Sequence, residues 1–238
     1  MNGLGIVAAL IAESRPLGSA SRRGAAPATL ADGTQLIVTG VGPAAATVGA
    51  RRLLASGARA LLSWGLAGAL DPALAAGTVL LPSEVISPEG RLLLTTTDWR
   101  DRVSKGLAAR HVVCSGRLLT CREPLGSIAA KALAFRETGA VAADMESSAV
   151  GEVASAERVP FLVVRAIVDT AQDALPEVAL SATGAGQDRL RLGRLLATIA
   201  RTPGELPALI RLASRYRSAS RALSAVAGSG VLTSGGRR

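Results

Sequence analysis

Aromatic and histidine side chains are scarce in this sequence, and their scarcity limits both the core and the chemistry. The 238 residues include two Trp, two Phe, one Tyr and a single histidine, His111. A core with so few aromatics has to consist of alanine, leucine and valine. One histidine excludes a multi-histidine metal site, and we assign His111 no role.

The sequence also has few cysteines and little that resembles a secretory leader. The two cysteines, Cys114 and Cys121, are seven residues apart, which fits neither a CxxC redox pair nor a zinc knuckle. We expect two reduced thiols and a cytoplasmic protein. The first residues lack the basic segment of a secretory leader, and Glu13 interrupts the apolar stretch that follows.

One long and mostly apolar run, residues 60–83, carries a single charged side chain, Asp71. Glycines and prolines divide it into pieces that are shorter than the roughly 20 apolar residues a membrane-spanning helix requires. The run therefore predicts two buried strands around a glycine-rich loop at residues 65–68, not a span.

Positive charge is concentrated near the C-terminus. Residues 1–184 carry 17 basic and 16 acidic side chains, whereas residues 185–238 carry ten arginines and two acids. The sequence predicts a basic amphipathic helix over residues 203–227 and a disordered tail over 228–238. The helix has two alternative roles, docking on its own domain or lying on an anionic membrane surface. A nucleic-acid partner is not expected, because aromatics are few and no binding motif is present.

The remaining chain, about residues 1–200, alternates strands with helices. This pattern predicts a three-layer α/β/α domain around a mixed, largely parallel sheet, with ligands bound beyond the strand ends. The expected strands are 4–9, 35–39, 60–64, 78–81, 112–115, 140–144 and 161–168, and the expected helices are 44–55, 127–137 and 147–157.

Acidic residues follow three of these strands, at Glu13, Glu146 and Asp169. Each also fits an ordinary structural role. An Asp after a strand is commonly a turn or cap former, Glu146 fits a first-turn helix acid, and Glu13 fits a solvated loop charge. Their common place at strand ends favours a shared site instead.

In order and spacing, three motifs resemble the nucleoside phosphorylase and nucleosidase family over about residues 3–175. They are Gly5-Ile6-Val7-Ala8-Ala9 with Glu13, then Asp144-Met145-Glu146-Ser147, then Arg165-Ala166-Ile167-Val168-Asp169. Val168 stands where the family usually has serine. The resemblance implies that this protein cleaves the N-glycosidic bond of purine nucleosides.

The resemblance also implies the site residues. Asp169 is expected to protonate the leaving purine, and Arg165, four residues earlier on the strand, to orient it. Glu146 is expected to bind the two ribose hydroxyls, with Met145 packed on the sugar. The backbone at Gly65 and Ala67 is expected to approach the ligand, and Leu119 to line the base pocket.

The attacking nucleophile stays open between water and phosphate. Nucleosidases of this family use a glutamate at the Glu13 position to hold water, and Glu13 is present. Phosphorylases use arginines and a serine in the glycine-rich loop, where this chain has Leu66. Arg15 or Arg52 remains as an alternative cation. The resemblance implies no metal or organic cofactor, with inorganic phosphate as the one open co-substrate, and a homo-oligomer, with a dimer favoured.

Within the family, the sequence most resembles the hopanoid-associated phosphorylase branch. The resemblance lies in Asp173-Ala174-Leu175-Pro176 and in Pro203-Gly204-Glu205-Leu206-Pro207 before the arginine-rich tail. This branch implies adenosylhopane as substrate and a peripheral position on the inner membrane. The alternatives are a soluble methylthioadenosine/S-adenosylhomocysteine-type nucleosidase and a non-catalytic protein that binds nucleoside lipids at a membrane surface.

Overall fold

A computed structural model describes residues 3–18, 24, 26–108, 112–175 and 206–233. In the last of these ranges, side chains are described from residue 210 onward. The described strands are β1 (Leu4–Ala8), β2 (Ala28–Thr29), β3 (Gln35–Val38), β4 (Ala60–Ala69), β5 (Val79–Leu80), β6 (Glu84–Ile86), β7 (Leu92–Leu94), β8 (Val113–Cys114), β9 (Arg117–Thr120), β10 (Ala140–Asp144) and β11 (Phe161–Asp169). The described helices are α1 (Ile11–Ser14), α2 (Pro43–Ala55), α3 (Thr97–Leu107), α4 (Ile128–Thr138), α5 (Ser147–Ala156) and α6 (Leu206–Gly228), with a 3₁₀ turn at Arg15–Leu17.

The strands form one mixed sheet with β4 at its centre. Strand β4 pairs in parallel with β1 and β11, and its last residues pair antiparallel with β10. From β4 outward, β1 continues to β3 and β2, while β10 continues through β9 and β6 to β7. Strand β11 also pairs with β5, which pairs with β8. The predicted mixed, largely parallel sheet is confirmed.

Helices cover both faces of this sheet, as predicted. On one face, the buried side chains of α2 and α5 pack on β1, β4 and β11, represented by Leu53, Val150 and Leu61. On the other face, α3 and α6 pack on the same strands through Trp99 and Leu223. Alternate strand residues enter opposite clusters, so the central strands are buried on both sides.

Local signals set several element boundaries. Pro43 occupies the first turn of α2, where its missing N–H costs no hydrogen bond. Ser127 caps α4 by accepting a hydrogen bond from the backbone N–H of Ala130 at 3.1 Å. Gly139 ends α4 in the left-handed conformation that glycine adopts without strain. These boundaries agree with the predicted ones to within a residue or two.

Two sequence expectations are corrected by the fold. Residues 65–68 are not a loop, because β4 runs on to Ala69 and keeps pairing with β11 and β10. Residues 231 and 232, assigned above to a disordered tail, instead pack on α3. Leu232 is buried, its carbonyl accepts a hydrogen bond from Trp99 Nε1 at 3.2 Å, and Val231 fills the space left by Gly106. Residues 234–238 and the predicted helix start at 203–205 lie outside the described residues, as does His111.

Helix α6 belongs to the domain rather than to a separate appendage. Its second half buries Ala219, Ala222, Leu223 and Val226 against the sheet. Its first half exposes Ile210 and several arginines. Within the described part of the chain, no helix combines the length and the apolar character needed to cross a bilayer.

Candidate active site

A cavity of about 330 Å³ opens where β1, β4, β10 and β11 end. Most of its wall is apolar, including Leu10, Val41, Leu66, Leu125, Val168 and Leu175. The charged residues on its wall are Glu13, Glu123, Lys131, Asp144, Glu146 and Asp169. The three acids singled out from the sequence therefore meet at one cavity.

Glu13 is held by the main chain around it. Its Oε2 accepts hydrogen bonds from the N–H groups of Ala9 and Leu10 at 3.0 and 2.9 Å, and its Oε1 accepts one from Leu66 at 2.9 Å. The residue is 4% exposed. Burial raises the pKa of Glu13, against the opposing effects of Arg165 and the three hydrogen bonds. Glu13 is thus a fixed cavity residue and not a solvated loop charge.

Glu146 precedes α5 but does not cap it. Its Oε1 instead accepts a hydrogen bond from the N–H of Gly42 at 2.9 Å, across the cavity mouth. Burial raises the pKa of Glu146 to about 7, with Arg165 opposing the rise and Asp144 adding to it. The first N–H of α5, on Ser147, is served by Asp144 at 3.2 Å. Glu146 is therefore free of the helix-terminus role considered above.

Arg165 is the cation at the centre of the acidic cluster. Its Nη2 lies 2.7 Å from Asp144 Oδ2 and 3.8 Å from Glu146 Oε2. The same nitrogen donates to the hydroxyls of Ser63 and Ser147 at 2.9 and 3.1 Å. Arg165 is 1% exposed, and its Nε has no partner among the described residues. One buried guanidinium thus faces three buried carboxyl groups, because Glu13 lies beside it as well.

Asp169 ends β11 and is paired with Lys131 of α4. Lys131 Nζ donates a hydrogen bond to Asp169 Oδ2. It also donates to the carbonyl oxygens of Thr170 and Asp173, and both of these distances are 2.9 Å. The expectation that Arg165 orients Asp169 was wrong. The register between β11 and β4 shifts by one residue between Ile167 and Asp169. This shift interrupts the alternation that would have put residues 165 and 169 on one face.

The glycines of β4 make room for these side chains. A Cβ at Gly65 would collide with the Glu13 carboxylate and with the Arg165 guanidinium. A Cβ at Gly68 would lie 2.9 Å from Asp169 Oδ2. Ala67 and Gly68 line the cavity, while Gly65 lies beneath it. The glycines of this segment therefore allow the strand backbone to lie directly against the acidic side chains.

The remaining residues named from the sequence lie in three kinds of place, namely the cavity wall, the core and the surface. Met145 lines the cavity. Leu119 packs in a small cluster with Leu70, Ile86 and Ala140. The candidate phosphate ligands Arg15 and Arg52 are both exposed, and Arg52 reaches the Gly24 carbonyl at 3.5 Å.

Sequence analysis missed two parts of the cavity. Lys131 is one of only two lysines in the chain and the sole charge between Ile128 and Phe135. A lone charge in an apolar helix is a signal that could have identified it, since buried charges need partners. Leu212 and Tyr216 of α6 also line the cavity.

The sequence profile of the Phosphorylase superfamily matches residues 8–201. The chain belongs to this superfamily. Among the described residues, no group of three or more His, Cys, Asp or Glu has a metal-binding arrangement.

Three solved structures illustrate the similarity. The 5′-methylthioadenosine/S-adenosylhomocysteine nucleosidase of Neisseria meningitidis, in complex with methylthio-immucillin-A, has a TM-score of 0.74 at 17% identity, covering 98% of this chain and 100% of that one. Futalosine hydrolase of Helicobacter pylori has a TM-score of 0.70 at 17% identity, covering 96% of both chains. The Campylobacter jejuni methylthioadenosine/S-adenosyl homocysteine nucleosidase has a TM-score of 0.70 at 18% identity, covering 97% of both. These similarities show a common fold.

Proposed function

We propose that this protein hydrolyses the N-glycosidic bond of a purine nucleoside. The observation that carries the proposal is the placement of Glu146 and Asp169, both buried and both on one cavity of nucleoside size. Neither side chain serves as a helix cap or a turn former, the roles that would otherwise account for them. Membership of the superfamily and the fold shared with nucleosidases support the same reaction class.

The chemistry requires one acid at the base and one carboxylate at the sugar. As the C1′–N bond breaks, its electron pair goes to the purine, which takes a proton from Asp169. The ribosyl group becomes cationic, and a carboxylate at Glu146 accepts hydrogen bonds from both ribose hydroxyls. Met145, on the same wall, packs against the sugar. General acid catalysis of this kind contributes roughly 10²–10⁴ in rate.

Water is the proposed nucleophile, with Glu13 as its base. Water adds to C1′ and gives one proton to the Glu13 carboxylate, whose pKa is raised by burial and which is therefore a stronger base than an exposed glutamate. Phosphorolysis would need cations around the phosphate. Among the described residues that line the cavity the cation is Lys131, and its three N–H groups are already donated. This arrangement favours hydrolysis.

The apolar wall indicates a nucleoside with an apolar 5′ substituent. Leu212 and Tyr216 bring α6 to the cavity, so a long substituent would leave along this helix. Adenosylhopane is the proposed substrate on this basis, and methylthioadenosine is the smaller alternative. The exposed Ile210, Arg211 and Arg217 of α6 would then face the anionic, cytoplasmic surface of a membrane.

The deciding experiment measures adenine released from adenosylhopane, methylthioadenosine and adenosine, each with and without phosphate. Free ribose products in both conditions support hydrolysis, whereas a phosphate requirement and a ribose 1-phosphate product refute it. Binding without base release would identify a non-catalytic nucleoside-lipid binding protein. Equal rates on all three substrates would remove the argument for an apolar 5′ group.

Membrane association is tested separately on the full chain. Vesicles with and without anionic lipid are mixed with wild type and with Arg217→Glu, which reverses one exposed charge of α6. Exposed Arg136→Glu on α4 is the matched control. Loss of anionic-vesicle binding in the first variant alone supports the surface, and wild type that ignores anionic lipid refutes it.

A further inference from the structure

Lys131 is a buried cation whose contacts all lie beside the proposed acid. It is 1% exposed, and its ammonium donates to Asp169 Oδ2 and to the carbonyls of Thr170 and Asp173. An ammonium has three N–H groups, so these three oxygens use its whole capacity. We infer that Lys131 is the positioning residue of Asp169, fixing which carboxyl oxygen carries the proton for the leaving base. This inference rests on the proposed function.

The pairing determines where the acidic proton resides. A proton on Asp169 Oδ2 would point at an N–H of Lys131, placing two donors face to face. The proton therefore sits on Oδ1, which has no partner among the described residues and belongs to a side chain on the cavity wall. When the Oδ1–H bond breaks and the proton bonds to the purine nitrogen, the electron pair stays on Asp169. The resulting carboxylate is already paired with the Lys131 ammonium.

Lys131 also ties Asp169 to the turn that follows β11. The Asp173 side chain accepts hydrogen bonds from the N–H and the hydroxyl of Thr170, at 2.9 and 2.6 Å. It also forms an ion pair with Arg215 of α6. Thus the turn that supplies two carbonyls to Lys131 is braced from α6. The other charged groups near this pair are Arg211 beside the turn, and Glu123 and Glu146 across the cavity.

A purely structural ion pair would predict a different response to mutation. Breaking such a pair lowers stability but leaves kcat of the surviving folded enzyme unchanged. A positioning role predicts a change in the proton-transfer step itself. Without Lys131, no donor fixes Oδ2, so Oδ1 is no longer held in place, and the carboxylate formed on proton transfer has lost its hydrogen-bonded counter-charge.

The test compares Lys131→Met with Lys105→Met, which removes the chain's other lysine from the exposed face of α3. With the substrate that wild type turns over, we expect Lys131→Met to lower kcat by about 10–100-fold with KM within about threefold. Lys105→Met should match wild type in both constants. Unchanged kcat in folded Lys131→Met, or a rise in KM as large as the fall in kcat, overturns the inference.

Two further variants keep the test decisive. In an Asp169→Asn background, Lys131→Met should lower kcat by less than a further factor of about three, because both changes act through the same carboxyl group. Fully additive losses in kcat contradict the role. If Lys131→Met does not fold, Lys131→Arg carries the test. It keeps the charge but not the compact three-way donation, so kcat should fall with KM within about threefold, and an unchanged kcat contradicts the role.

Failure of the proposed function is distinguishable from failure of this inference. Wild type that releases no base from any nucleoside refutes the function. Lys131 is then judged by calorimetric binding of adenine, which needs the Asp169 side chain held in place but no turnover. Weaker adenine binding in Lys131→Met, with wild-type affinity in Lys105→Met, supports the positioning role, and equal affinities in all three proteins overturn it.

Discussion

Arg165 binds Asp144 more closely than it binds Glu146, with Nη2 to oxygen distances of 2.7 and 3.8 Å. Thr120 adds a hydroxyl hydrogen bond to Asp144 at 2.8 Å. Asp144 therefore takes the main share of the buried positive charge, while Glu146 remains available to a ligand. The Asp-Met-Glu order at the end of β10 thus places two acids with different partners two residues apart, with Asp144 paired to Arg165 and Glu146 hydrogen-bonded to the N–H of Gly42.

Replacing Asp144 with asparagine should destabilise the fold strongly. The change leaves the buried Arg165 without its nearest counter-charge, and breaking a buried pair costs about 3–5 kcal/mol. The free energy of unfolding, from urea denaturation, measures the loss. Glu84→Gln is the matched control, since it breaks the partly exposed pair with Arg117 and should cost at most about 1 kcal/mol. Equal losses in the two variants would contradict this account.

The alternation of strands and helices was predictable because it depends on local hydrophobic patterns. The three acids were predictable because each follows a strand. The course of residues 65–68 was not, since glycines that usually end a strand here accommodate the side chains of Glu13, Arg165 and Asp169. The pairing of Asp169 was hidden for two reasons. Its partner Lys131 lies 38 residues earlier, and a register shift moves Asp169 out of line with Arg165.

Gly65→Ala should damage both stability and activity. The new Cβ would overlap the Glu13 carboxylate and the Arg165 guanidinium, and both groups are fixed by buried hydrogen bonds. We expect a loss of about 1–3 kcal/mol and at least a tenfold fall in kcat. Gly228→Ala, where a Cβ meets open space, is the control and should be near neutral. A fully active Gly65→Ala enzyme would show that the close packing is not required.

Stability of the ligand-free protein should fall as pH rises from about 5 to about 7.5. The pKa of Glu146 is raised from 4.5 to about 7, so between these values the folded state binds a proton that the unfolded state has released. Stability then decreases with rising pH, by an amount on the order of 2 kcal/mol. Thermal unfolding across this range measures the slope.

Glu146→Gln should reduce this slope without abolishing it, because burial raises the pKa of Glu13 as well. Exposed Glu137→Gln on α4 serves as the control and should leave the slope as in wild type. A Glu146→Gln protein with the wild-type slope would place the proton elsewhere in the cluster.

Asp169→Asn should abolish most turnover while preserving binding. The amide keeps the shape of the side chain but cannot deliver a proton to the base, so kcat should fall by about 10²–10⁴ with KM within about threefold. Steady-state adenine release gives both constants. Asp173→Asn, next to the cavity but engaged by Thr170 and Arg215, should have a much smaller effect. Comparable losses would assign the Asp169 effect to damage of the turn.

Tyr216→Ala should separate nucleosides by their 5′ group. Tyr216 is part of the α6 wall of the cavity, so its truncation removes apolar contact from a long or alkyl 5′ substituent but not from the base or ribose. We expect KM to rise roughly 3–10-fold for a nucleoside with an apolar 5′ chain, and by less than about twofold for adenosine. Ser214→Ala, an uncharged change at an exposed position of the same helix, is the control and should affect neither. Equal increases for both substrates would mean that α6 shapes the whole site rather than its 5′ side.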